Sequence, residues 1–84
     1  MRHIATEKFW RAYNALSIDI QKIADKNFEL LKSDPKHPSL HLKKIDGLWS
    51  VRVGLSYRAL GIDHKEGIAW IWIGSHVEYD RLIK

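Results

Sequence analysis

Between Glu7 and Leu16 the large apolar residues fall at Phe9, Trp10, Tyr13 and Leu16, the three- and four-residue spacing that gathers side chains on one face of a helix. Thr6 offers an N-cap oxygen just before this run, and Glu7 places a negative charge beside the positive helix end. A second helix is predicted after Ser17, another capping residue, with Asp19 in its first turn. Ile20, Ile23, Ala24, Leu30 and Leu31 make one stripe along it, interrupted by Asn27. Lys32 suits the negative end, and Asp34-Pro35 closes the helix because a residue before proline is pushed out of helical geometry. The junction at Leu16-Ser17 is so short that the two helices form a hairpin or a bent pair.

After Pro38 the period falls to two. Leu40 and Leu42 alternate with His41 and Lys43, and Trp49, Val51 and Val53 alternate with Ser50 and Arg52. Each run predicts a strand with one apolar and one polar face. Two further strands are predicted over 57–62 and 68–73, both rich in aromatic or β-branched residues. Gly54-Leu55-Ser56 and residues 63–67 are short enough to join them as hairpins. Residues 68–73 are apolar at every position, which predicts a central strand covered on both sides. Trp10, Trp49, Trp70 and Trp72 are then read as core filling. The fold class is α+β: two N-terminal helices packed on a four-stranded, mostly antiparallel sheet. Residues 2–5 could add an edge strand. No repeat or linker divides the chain, so residues 1–84 form a single domain.

The sequence holds no cysteine, which removes thiolate nucleophiles, thiolate metal sites and disulfides. No apolar run approaches the roughly 20 residues of a membrane helix, and the first residues lack the apolar stretch of a secretory signal. A cytoplasmic protein without membrane attachment is expected. His37 and His41 have the spacing of a helical metal pair, but Pro38 lies between them. On an extended chain they stand about 13 Å apart. The carboxylates are scattered, and no glycine-rich loop could cradle a nucleotide phosphate. Neither a metal nor a cofactor is expected. Ser50, Ser56 and Ser75 read as turn and strand serines, with no elbow to present a nucleophile.

The net charge of +4 is unevenly spread. Residues 36–58 hold Lys36, Lys43, Lys44, Arg52 and Arg58 against Asp46 alone, while the flanking segments nearly balance. Such a block is either a polyanion footprint or a solvated strand face with lysines that discourage edge pairing. Arg52 points away from Val51 and Val53, and Arg58 follows across a three-residue connection. Two neighbouring guanidinium groups need an anion, whether a phosphate or a carboxylate such as Asp46, Glu78 or Asp80. His76 stands where the chain leaves the most apolar strand, with Tyr79 three residues on. Without a metal, Lys43, Lys44, Arg52, Arg58, His76 and Tyr79 share one natural task. It is cleavage of RNA by its own 2′-hydroxyl, which needs a base, cations around the phosphorane and an acid for the leaving oxygen. Once the tryptophans are assigned to the core, Tyr57 and Tyr79 remain to contact bases.

These residues carry a resemblance. Leu40-His41-Leu42-Lys43-Lys44-Ile45, then Gly47-Leu48-Trp49-Ser50-Val51-Arg52-Val53, then Tyr57-Arg58-Ala59-Leu60 resemble the RelE/ParE superfamily of toxin–antitoxin toxins. The ending Trp72-Ile73-Gly74-Ser75-His76-Val77-Glu78-Tyr79 resembles its ribonuclease branch, particularly toxins of the YafQ type. The resemblance implies a microbial-RNase-like fold and mRNA cleavage, often at the ribosomal A site. It also implies a cognate antitoxin that wraps the toxin in a hetero-oligomer and covers its basic face. In its terms Arg52 and Arg58 are phosphate or transition-state ligands and His76 is a general acid or base. Tyr79 matches a terminal aromatic, and Lys43, Lys44, His41 and Tyr57 are expected RNA contacts. The acidic residues Glu78 and Asp80 depart from the pattern; they would pair Arg52 or Arg58, or favour the charged form of His76. Two rival functions share the fold: a ParE-like toxin that poisons DNA gyrase by binding, and a catalytically silent RNA-binding relative.

Overall fold

Thr6 and Ser17 act as the caps that their positions predict. In the computed structural model, which describes residues 2–83, the Thr6 hydroxyl accepts from the Phe9 N–H at 3.2 Å and opens α1 (Glu7–Asn14). Ser17 accepts from the Ile20 N–H at 3.4 Å and opens α2 (Ile18–Ser33), which ends at Asp34. Gln21 ties the junction by donating to the Tyr13 and Leu16 carbonyls. The helices follow one another over a connection of only a few residues, and the Tyr13 hydroxyl of α1 donates to Asp25 of α2 at 2.8 Å.

The next expectation is corrected. Pro38–Leu40 is a single 3₁₀ turn, and the alternation at Leu40–Lys43 is not a continuous strand. Proline at the head of the turn has the required φ and lacks an N–H that would go unused. His37 Nδ1 accepts from the Ser39 N–H at 3.2 Å. His41 then adopts a left-handed conformation, φ 46°, and turns the chain. Leu40, with no exposed surface, is driven into the core, and β2 (Lys43–Ile45) begins three residues later.

Asp46 and Gly47 both take positive φ, 50° and 82°, the geometry that suits a tight hairpin. β3 (Leu48–Val53), β4 (Tyr57–His64) and β5 (Gly67–Ser75) follow as an antiparallel meander. The edge strand also forms: β1 (Arg2–Ala5) lies parallel to β5, giving a five-stranded mixed sheet in the order β1-β5-β4-β3-β2. Gly67 admits it, since a Cβ there would collide with the Arg2 backbone. Beyond β1, the Thr6 N–H and hydroxyl both donate to the Trp70 carbonyl, at 3.1 and 2.8 Å.

Ala24 and Leu31 of α2 pack with Val51, Val53, Ala59 and Trp70 of the sheet, joined by Phe9, Tyr13 and Leu16. This core lies wholly on one face. Trp10 is not part of it: the indole is 47% exposed and meets Phe9 and Tyr13 edge-on at the rim of α1. An apolar cavity of about 110 Å³ remains between the helices and the sheet, bordered by Trp10 and Phe28.

A third helix, absent from the sequence-based expectation, is α3 (His76–Ile83). Ser75 Oγ accepts from the Glu78 N–H at 3.2 Å, and Glu78 Oε1 accepts from the Ser75 N–H at 3.3 Å. This reciprocal pair is a capping box. The helix lies against β4 and β5 and buries Tyr79. No helix among the described residues is long and apolar enough to cross a membrane.

Candidate functional site

The meander's register decides which side chains meet. Val51, Val53 and Ala59 face the helices, so the alternate positions Ser50, Arg52, Arg58 and Leu60 occupy the other face. Arg52 is the direct cross-strand partner of Arg58. Side chains so placed have Cβ atoms about 5 Å apart, and like charges there repel. Lys43, opposite Ser50, adds a third cation one strand further out.

Among the described residues neither arginine forms an ion pair. Arg58 Nε and Nη1 are buried without a hydrogen-bond partner, as is the Oγ of Ser50. The ring of Tyr79 lies 5.2 Å from the Arg58 guanidinium carbon and contributes a cation–π contact. That leaves donors without an acceptor, the arrangement expected of an anion site.

The capping box sets the remaining groups. It starts α3 at His76, whose N–H donates to the Ser56 carbonyl at 2.7 Å and so pins the helix to the β3–β4 turn. His76 Nδ1 lies 3.2 Å from Asp80 Oδ2, one helical turn on. The His76 and Tyr79 ring centroids are 5.9 Å apart. The Asp80 carboxylate stands beside Nδ1, which leaves Nε2 as the ring nitrogen open to exchange a proton with a bound molecule. Glu78 is occupied by the capping box and Asp80 by His76, so neither carboxylate neutralises the arginines.

Arg52, Arg58, Tyr79 and His76 are thus brought together, with Lys43 on the same face. Other candidates lie elsewhere. Lys44 is the partner of Trp49 on the alternate side of β2, where it binds Asp63 and sits 5.7 Å from the Trp49 ring. Hydrogen bonds from Lys44 and Trp49 hold the Asp63 carboxyl below its ordinary range. Tyr57 packs against the helix-side core. His41 is exposed in the turn before β2. Among the described residues no cluster of metal-ligating side chains occurs.

Sequence reasoning missed one member of this face. Leu60 pairs with Trp72 but Gly61 pairs with Trp70, so Ile71 is an extra residue, a β-bulge. The bulge reverses the alternation: Trp70 and Ile73 face the helices, and Trp72 joins the arginine side. Gly61 was the available signal, since glycine within a strand pattern marks a bulge or a close approach. A Cβ there would lie 2.6 Å from Ile68 and 2.9 Å from the Trp70 ring.

The model of a ParE-like toxin domain matches residues 18–81. Solved structures share the fold at low identity. The RelB–RelE antitoxin–toxin complex of Methanococcus jannaschii aligns with a TM-score of 0.71 and 15% identity, covering 96% of this chain and 99% of that one. The YoeB/ParE toxin of Agrobacterium tumefaciens gives 0.66 and 15%, covering 90% and 99%. The isolated RelE toxin of E. coli gives 0.62 and 12%, covering 96% and 94%. No curated protein matches in sequence.

Proposed function

The chain belongs to the ParE-like toxin family, and we propose that it is an endoribonuclease toxin whose cleft is the sheet face under α3. The observation that carries this reading is the Arg52–Arg58 pair, set side by side without a carboxylate and bordered by His76 and Tyr79. Arg58 Nη2 and the Arg52 guanidinium, which are not among the enclosed atoms, remain to meet a polyanion.

In the proposed reaction the RNA 2′-oxygen attacks the adjacent phosphorus and the P–O5′ bond breaks. The products are a 2′,3′-cyclic phosphate and a free 5′-hydroxyl. Arg52 and Arg58 hold the non-bridging oxygens, where negative charge grows in the phosphorane. His76 carries the proton, as the base toward the 2′-hydroxyl or the acid toward the 5′-oxygen, with Asp80 steadying its ring. Tyr79 shapes the cleft, and Lys43 holds RNA continuing toward β2, where His41 lies at the rim. Lys44 and Tyr57 serve the other side of the sheet. The natural substrate is mRNA, presented at the ribosome.

A protein antitoxin is the proposed partner. The exposed Trp10 and Phe28 beside the open apolar cavity support a surface completed by another chain. The relatives solved as toxin–antitoxin complexes support the same pairing.

Pulse labelling after induction tests the reading. Translation should stop first, with DNA synthesis continuing, and Arg58→Met should relieve the arrest. An early block of DNA synthesis with a DNA-damage response would instead identify a gyrase poison. Growth unaffected by the chain, with RNA binding retained, would identify the silent binder.

A further inference from the structure

We infer that Trp72 is a nucleobase-stacking residue, its indole laid over Gly74 to take the base beside the phosphate held by Arg52 and Arg58. The inference rests on the proposed RNA-directed reading of this face.

The β-bulge at Ile71 is the first ground. Had the strand continued in regular alternation, Trp72 would have joined Trp70 in the core. The extra residue instead delivers it to the face that carries both arginines. The second ground is its bed. A Cβ at position 74 would collide with the six-membered ring of Trp72, with Cη2 at 2.7 Å, so the indole lies along the strand across bare backbone. Gly74 is the cross-strand partner of Arg58. The aromatic surface therefore borders the phosphate ligand directly, within one nucleotide's reach.

The indole N–H is the third ground. Trp49 donates its N–H to Asp63 at 2.8 Å, and Trp70 donates to His3 at 3.1 Å. These two fix the fold. Trp72 donates to no acceptor among the described residues, and it is half-buried where Trp70 is only 4% exposed. A nucleobase answers both needs, giving a π face to the ring and an exocyclic oxygen or ring nitrogen to the N–H. The surrounding charge selects the occupant. Lys43, Arg52 and Arg58 share this face without a paired carboxylate, so a single-stranded polyanion fits better than an apolar peptide.

The test is fluorescence anisotropy of a short labelled RNA, 2′-O-methylated throughout to prevent cleavage, titrated with wild type, Trp72→Leu and Trp72→Phe. Stacking predicts about tenfold or greater weakening for Trp72→Leu and a clearly smaller loss for Trp72→Phe, which keeps a π face but not the N–H. Replacing single nucleotides by abasic ones should erase the Trp72→Leu penalty at one position. Equal binding by wild type and Trp72→Leu, still falling with salt, would overturn the inference and leave the arginine cleft standing. No RNA binding by wild type would remove the RNA reading and this inference with it. If Trp72→Leu fails to melt cooperatively, intrinsic fluorescence decides. RNA should quench wild-type emission but not that of Trp72→Phe, and quenching that persists in Trp72→Phe overturns the assignment.

Discussion

Arg58 holds a guanidinium where the fold itself has no use for it. Its buried nitrogens lack partners, and Arg52 repels it from the next strand. The Tyr79 contact offsets only part of this, at about 1 kcal/mol against a similar or larger cost for each unmet donor. Arg58→Met should therefore leave the melting temperature unchanged or raise it. Cleavage should fall by about a hundredfold or more. Greatly reduced stability in a thermal melt would show that the residue serves the fold. His3 predicts a pH effect on the other face. Its Nδ1 accepts from the Trp70 indole at 3.1 Å. Burial, with Lys32 adding positive charge, holds it below the ordinary imidazole value of 6.5. The unfolded chain then takes up the proton first. The associated stability is full above pH 6.5 and is lost as pH falls from there through the lowered value. Thermal melts should show this decline, and His3→Gln should flatten it.

Among the elements, α3 matters most to the site and was the least legible in the sequence. Its eight residues follow β5 without an intervening loop and bury only Tyr79, so no separate helix stands out. Ser75-x-x-Glu78 has the form of a capping box, but it directly follows an apolar run with strand character, which masks the change of element. The α1 and α2 starts were legible because Thr6 and Ser17 stand immediately before periodic apolar residues. Alternation failed at two places for identifiable reasons. Pro38 and the left-handed His41 turned an apparent strand into a 3₁₀ turn, and the bulge opposite Gly61 reversed the sides of Trp70 and Trp72. Arg52 and Arg58 were legible as a pair because the hairpin between them is short, whereas the placement of Lys44 depended on register. Ser75→Ala should cost about 1 kcal/mol and fray the first turn of α3. Faster amide exchange at residues 76–79 with unchanged protection in β4 would confirm it. Cleavage should weaken in parallel, because His76 and Tyr79 hang from that turn.

At the scale of the molecule, the sheet separates two tasks. Its helix-side face holds nearly all the apolar core, while the other carries Lys43, Arg52, Arg58 and Trp72 beneath a single short helix. The fold class follows from hydrophobic periodicity. The joining of His76 to the arginines follows from register and the α3 cap, which few sequence positions encode. Their proposed role as a reaction centre is best tested on RNA itself. Primer extension on a defined transcript, translated or untranslated, during controlled expression of wild type and His76→Ala, reads new 5′ ends directly. New ends confined to the translated message and lost in His76→Ala are expected. Growth arrest by the wild type without new ends in either message would contradict the proposed cleavage.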